Sequence, residues 1–188
     1  MQPTTIALIR HGETEWNAQF RIQGRTDIPL NARGEAQSTL VAESLRHTEW
    51  HRVCTSPLSR AAVTAKIIAA ELELEDPEHR EDLIERFFGA AEGLPGGPAL
   101  DAVRLADGEF LDAETEHAVG TRGSAALELI HETYTGQNLI VVSHGSYIRC
   151  TLNVMFEMQA PRIRNTGVTL LERHADGWRV LMLNDEQV

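Results

Sequence analysis

Positive charge is scarce in this chain and almost all of one kind. Lys66 is the only lysine, and Lys plus Arg total 17 against 28 Asp plus Glu, a formal net charge of −11. So acidic a chain suits neither nucleic acid nor an anionic membrane, and neither is expected as a partner. Cysteine is as sparse: Cys54 and Cys150 form no CxxC pair. A disulfide framework is therefore not indicated; a single bridge between the two is left open, but each sits in an apolar run, and buried free thiols are expected. No apolar stretch approaches the ~20 residues that span a bilayer. No basic segment followed by a long apolar one opens the chain, so no signal peptide is expected and the cytoplasm is the expected location. The phosphate loop GxxxxGK[ST], the dinucleotide fingerprint GxGxxG and the zinc motif HExxH are all missing, which removes support for nucleotide and zinc-site readings. His47 and His51 stand at helical spacing, but where a helix should already have ended. They are expected at the surface, as are His79, His117, His131 and His174.

The chain does have the length and apolar content of a packed protein. Its 188 residues are 42% hydrophobic, enough for one sizeable core, and no repeat, low-complexity tract or linker divides them. Residues 1–188 thus read as one domain. Thr4 to Ile9 has the continuous apolar character of a buried parallel strand, which puts Arg10-His11-Gly12 at that strand's carboxyl end. Asn31 is a candidate N-cap for a helix through Ala36, Leu40, Val41 and Leu45. Arg52 to Thr55 reads as a second strand. Ser56-Pro57 would then supply the N-cap and first-turn proline of a helix reaching about Ala70, with Ala62, Ala65, Ile68 and Ala69 toward the core. Gly89 to Pro98 is loop by its glycine and proline content, and Ala99 to Gly120 shows no clear period. Local periodicity places the next helix over Ser124 to Tyr134. Asn138 to Ser143 is the strongest strand signal, closed by His144-Gly145 and followed by a helix over Ser146 to Met155. The tail reads as a hairpin, Val168 to Arg173 and Trp178 to Leu183, about a turn at Ala175-Asp176-Gly177. Strands alternating with helices predict an α/β fold: a mostly parallel central sheet with helices on both faces and an antiparallel C-terminal hairpin edge.

In such sheets, sites form beyond the carboxyl ends of the strands. Arg10, His11, Arg60 and His144 all fall there or one turn into the next element. Phosphoryl transfer needs dense positive charge on the non-bridging oxygens, a nucleophile in line and an acid for the leaving oxygen. Arginine suits the first task, because its planar fork grips phosphate oxygens in pairs. His11 and His144 are candidates for nucleophile and partner, and the glycine after each lets the backbone approach a bound group closely. Taken singly, each has an ordinary reading: a strand-end histidine, an arginine early in a helix, an Asn17 that only caps a turn.

The surrounding residues resemble the blocks of a known family. Leu8 to Asn17 (LIRHGETEWN), Gln23 to Leu30 (QGRTDIPL), Gly34 to Gln37, Thr55 to Ala61 (TSPLSRA), Ile84 to Gly89 with Glu92-Gly93, and Val142 to Gly145 (VSHG) are similar, in content and order, to the histidine phosphatase superfamily, in its phosphoglycerate mutase-like branch. The resemblance implies a phosphoglycerate mutase-like fold and phosphoryl transfer with no metal and no organic cofactor. It implies that His11 is the nucleophile that becomes phosphohistidine, with Arg10, Arg60 and His144 completing the phosphate pocket and Asn17 a further contact. Glu85 would protonate the leaving oxygen and then serve as base for water, with Phe87 and Phe88 expected to desolvate it. Gln23, Gly24 and Gly145 are candidate phosphate or substrate contacts. The expected activity is hydrolysis of a small phosphorylated metabolite, with inorganic phosphate as product. A mutase and a non-catalytic phospho-ligand binder are the alternatives. The chain departs from the family pattern over Gly93 to Asp112, which is short, and carries Ala113-Glu114-Thr115 where relatives commonly have Gly-Gly-Glu-Ser. Residues 86–122 or so are therefore expected to form a short cap over the site, and Val119 and Arg122, at family-like spacing, suggest that the next helix begins before Ser124.

Overall fold

The apolar run near the start of the chain is buried on both faces, because it lies inside a sheet covered on both sides. A computed structural model describes residues 3–187. The elements are β1 (Thr4–Arg10), α1 (Glu15–Ala18), α2 (Ala32–Leu45), β2 (Arg52–Thr55), α3 (Ser59–Glu71), β3 (Glu78–His79), α4 (Pro98–Asp101), α5 (Glu116–Thr133), β4 (Leu139–Ser143), α6 (Gly145–Phe156), β5 (Val168–His174), β6 (Gly177–Leu183) and β7 (Glu186–Gln187). They build one sheet in the order β3-β2-β4-β1-β5-β6-β7. Strands β3, β2, β4 and β1 run parallel, and β5, β6 and β7 add an antiparallel C-terminal edge.

Alternate residues of β1 and β4 feed two cores. Ile6, Leu8, Leu139 and Val141 pack with Leu127 and Ile130 of α5 and Ile148 of α6, while Ala7, Ile9, Ile140 and Val142 pack with Val41 of α2 and Ala65 and Ile68 of α3. That double duty explains why these strands show no polar alternation. Register then places the site. Val142 pairs with Ile9 on one side and with Thr55 on the other, so β1 and β4 end level and β2 one residue earlier. Their next residues, His11, Ser56 and His144, emerge side by side.

Four local expectations need correction. Helix α3 starts at Ser59, not at Ser56-Pro57, because a distant carboxylate caps it: Asp27 Oδ1 accepts from the Ser59 N–H at 2.8 Å and from its hydroxyl at 2.7 Å. Ala61, not Ala62, is the apolar residue of its first turn that is fully buried. Helix α5 starts at Glu116, capped by the Thr115 hydroxyl, well before the Ser124 that local periodicity marks. Its first two turns face α6 through Val119, Gly120 and Gly123, and a Cβ on Gly123 would collide with Thr151. Glycines at an interface read as breaks in a hydrophobic period when they are in fact its tightest contacts. Finally, among the histidines expected on the surface, His131 and His174 are half-buried, whereas His47, His51, His79 and His117 are exposed.

Between the 3-10 turn at Gly89–Ala91 and α5, regular structure is confined to α4. The segment is nonetheless packed: Phe88, Ala91, Leu100 and Phe110 form a third small core, joined by Ile22 from the loop after α1. Buried Arg86 ties it down, pairing with Glu109 and Glu116 and lying 4.8 Å from the centre of the Phe88 ring. Cys54 and Cys150 are buried free thiols. Among the described residues, no helix is long and apolar enough to cross a membrane.

Candidate active site

The carboxyl ends of β1, β2 and β4 open onto a cavity of about 380 Å3. At its base lies His11, 2% exposed, with its two ring nitrogens distinguished by their surroundings. Nδ1 donates to the Gly12 carbonyl at 2.7 Å, and Nε2 accepts from Nε of Arg60 at 3.3 Å. That pattern fits only a neutral ring with its lone pair on Nε2. Arg60, wholly buried on α3, has its other nitrogens fixed by backbone: Nη1 donates to Thr26 O at 3.0 Å and Nη2 to Gly24 O at 2.7 Å.

Arg10 and His144 complete the cluster. Arg10 Nη1 donates to the Ile163 carbonyl at 2.8 Å, while its buried Nε has no partner among the described residues. The ring of His144 lies 5.2 Å from that of His11, centre to centre, and its Nε2 is 2.7 Å from the Ser56 hydroxyl. With that hydroxyl donating to Nε2, the remaining hydrogen sits on Nδ1, which is also buried and without a partner. Buried donors are almost always satisfied, so the unpartnered Nε of Arg10, which lines the cavity, marks a place suited to an acceptor. His144 does not itself line the cavity and is wholly buried beside His11. Burial, then Arg60 and Arg10, holds the His11 imidazole well below its ordinary 6.5. Burial, then Arg60, His11 and Arg10, does the same to His144. Burial also draws the Arg10 guanidinium down to about 10, so it still carries charge at neutral pH.

Glu85 faces the same cavity and is 8% exposed. Its Oε1 accepts from the backbone N–H of Arg86 and of Tyr147, both at 2.8 Å, and Oε2 accepts from that of Ser146 at 3.2 Å. Two of these donors come from the first turn of α6, so backbone amides hold the carboxylate in place. Of the two phenylalanines expected beside it, Phe88 is buried and lines the cavity, whereas Phe87 is 39% exposed and lies against Arg25. Asn17 both lines the cavity and closes a capping box with Thr14, and its Oδ1 also accepts from Asn165. Gln23, nearly buried, accepts from the Thr14 hydroxyl. Gly24 takes a left-handed φ of 56°, and a Cβ there would collide with Glu92. Gly145 lies flat against Arg10, where a Cβ would come within 3.2 Å of Nε. Every candidate residue except His144 thus borders the cavity.

Sequence reasoning missed several contributors. Glu92 is the largest: Oε1 accepts from the Arg25 N–H at 2.8 Å, and Oε2 from the Thr26 N–H at 3.0 Å and the Thr26 hydroxyl at 2.6 Å. It thereby fixes the loop whose carbonyls hold Arg60. It stood inside a matched block, but nothing in its spacing told which backbone it would grip. Phe20, Arg149, Arg162 and Ile163 also line the cavity. Among the described residues, no group of three or more His, Cys, Asp or Glu side chains gathers as a metal site.

A neutral, buried imidazole whose Nε2 accepts from Arg60, beside a cavity lined by five arginines at the carboxyl edge of an α/β sheet, is an arrangement suited to an anionic ligand. The comparisons name the family. The model of the histidine phosphatase superfamily (branch 1) matches residues 6–186, and the chain belongs to that superfamily. It is 35% identical to the uncharacterized phosphatase PhoE of Bacillus subtilis, over 94% of this chain and 92% of that one. It is 31% identical to the probable phosphoglycerate mutase GpmB of Enterobacter sp., over 96% and 92%. The solved phosphoserine phosphatase of Entamoeba histolytica in complex with 3-phosphoglyceric acid superposes with a TM-score of 0.84 at 27% identity, covering 96% of each chain.

Proposed function

We propose that this protein is a phosphomonoesterase that hydrolyses a small phosphorylated metabolite through a phosphohistidine on His11. The observation that carries the reading is the divided environment of the His11 ring, Nδ1–H bound to Gly12 O and Nε2 left as an acceptor facing Arg60. A nucleophilic imidazole must be neutral at working pH, and burial beside two guanidiniums keeps it so. In the proposed sequence, Nε2 attacks phosphorus in line. Arg10, Arg60 and the Nδ1–H of His144 bind the non-bridging oxygens, and Asn17 adds a contact. Glu85, entering as the acid, gives its proton to the leaving oxygen as the P–O bond breaks. The resulting carboxylate then takes a proton from water as water attacks the phosphohistidine, releasing inorganic phosphate and restoring both groups. Guanidinium charge does the electrostatic work in this scheme, so no metal or organic cofactor is assigned. Gln23, Gly24 and Gly145 shape the walls, and residues 86–122 or so supply a short cap within a single domain.

The phosphatase relative favours hydrolysis, and the mutase relative keeps isomerisation as the second reading. Both outcomes can be read in one assay. Phosphate release and isomer formation from 3-phosphoglycerate should be followed together, alongside a phosphomonoester panel with and without chelator. Release of phosphate without isomer, insensitive to chelator, is expected. Isomer as the main product would make it a mutase, binding without any turnover would make it a binder, and inactivation by chelator reversed by metal would contradict the scheme.

A further inference from the structure

Phe20 is the most exposed large apolar side chain among the described residues, at 73%, and it lies on the rim of the cavity. Its backbone is also in the wrong region for it. With φ at 56°, Phe20 occupies the left-handed position just past the end of α1, where glycine or asparagine sits without penalty and a bulky side chain does not. Nothing about the segment is loose. The Phe20 N–H donates to Asn17 O at 3.1 Å and the Arg21 N–H to Trp16 O at 2.9 Å, and Ile22 exchanges backbone bonds with Leu94 and Gly93. The backbone that carries this large ring is therefore fixed by hydrogen bonds in a conformation costly for it, and the ring stands in solvent at the mouth of a cavity lined by five arginines. Strain of this kind persists where function requires it.

We infer that Phe20 forms a leaving-group subsite, together with Ile22, that selects phosphomonoesters whose alcohol carries a flat apolar ring. The inference rests on the proposed phosphoryl site and adds the part of the substrate that site does not describe. Ile22, half-buried, lines the same cavity and adds apolar surface beside Phe20's segment, and the buried Phe88 borders it too. The cavity is within the ~300–1,000 Å3 typical of small-molecule sites, so it has room for a phosphoryl group and an attached ring. A ring bound there would stack on Phe20 and bury a face the protein leaves wet.

Non-hydrolysable ligands test this without turnover. Affinities of phenylphosphonate and methylphosphonate, each competed with inorganic phosphate, should be measured by calorimetry for the wild type, Phe20→Asn and Phe20→Tyr. Asparagine accepts the left-handed backbone, so Phe20→Asn should melt no lower than the wild type, which keeps a folded variant in hand. Phenylphosphonate should bind the wild type about tenfold more tightly than methylphosphonate, as expected for an aromatic contact. That ratio should persist in Phe20→Tyr and collapse toward one in Phe20→Asn. An equal preference in the wild type, or an unchanged ratio in Phe20→Asn, overturns the subsite while leaving the phosphoryl site standing. Failure of both phosphonates to bind the wild type overturns the phosphoryl site, and the subsite with it.

Discussion

Nε of Arg60 and Nε2 of His11, 49 positions apart in the chain, lie 3.3 Å from each other in the buried base of the cavity. Arg60 thus adds to burial in keeping His11 neutral and is the donor on its lone pair. In the proposed scheme, phosphate binding and nucleophile activation both draw on the same guanidinium, so residues that place Arg60 should matter as well as those that touch substrate.

Glu92 is such a residue. It never reaches His11, but it holds the Arg25–Thr26 backbone, and Thr26 O and Gly24 O hold Arg60. We expect Glu92→Ala to lower kcat/KM by one to two orders of magnitude, the scale of about 1 Å misplacement of a catalytic group. Inhibition by phosphate or vanadate should weaken in parallel. Glu92→Gln, which keeps an acceptor, should recover part of both. A loss of thermal stability with unchanged kinetics would reduce Glu92 to a structural role.

The two buried imidazoles should leave a mark on stability. Both are held well below 6.5 in the folded protein, so below that pH the unfolded chain takes up protons that the folded chain refuses. Their contribution to stability is complete above pH 6.5 and is lost as pH falls from there toward the folded values. The slope is at most ~1.4 kcal/mol per pH unit for each ring. Denaturant midpoints between pH 5.5 and 7.5 should fall more steeply for the wild type than for His11→Asn/His144→Gln. Parallel curves would mean that the rings protonate without unfolding.

Much of this was legible in the sequence, and the misses have physical causes. The strands ending at Arg10 and Ser143 are legible because their middles, buried on two sides, are continuously apolar. The convergence of His11, Arg60 and His144 follows from the neighbouring carboxyl ends of these strands and β2. What local pattern could not show was tertiary capping: Asp27 replaces Ser56 at the start of α3, which leaves the Ser56 hydroxyl to His144. Nor could it show glycine used as contact surface, which hid the first turns of α5. The segment before α5 has no period because Phe88, Leu100 and Phe110 pack irregularly around Arg86.

Glu85 should reveal its role through the leaving group. A general acid matters most when the departing oxygen is strongly basic and least when it leaves unaided. Glu85→Gln should slow hydrolysis of an alkyl or phenyl phosphate by roughly 10²- to 10⁴-fold, and that of 4-nitrophenyl phosphate far less. Equal losses on both substrates would take Glu85 out of proton transfer.

The nucleophile itself can be caught. Mixing enzyme with labelled phosphomonoester, quenching in alkaline detergent and mapping the labelled peptide should place phosphate on Nε2 of His11, acid-labile and absent from His11→Ala. Steady turnover with no label on the chain, or label that survives in His11→Ala, would mean that phosphoryl transfer does not pass through this histidine.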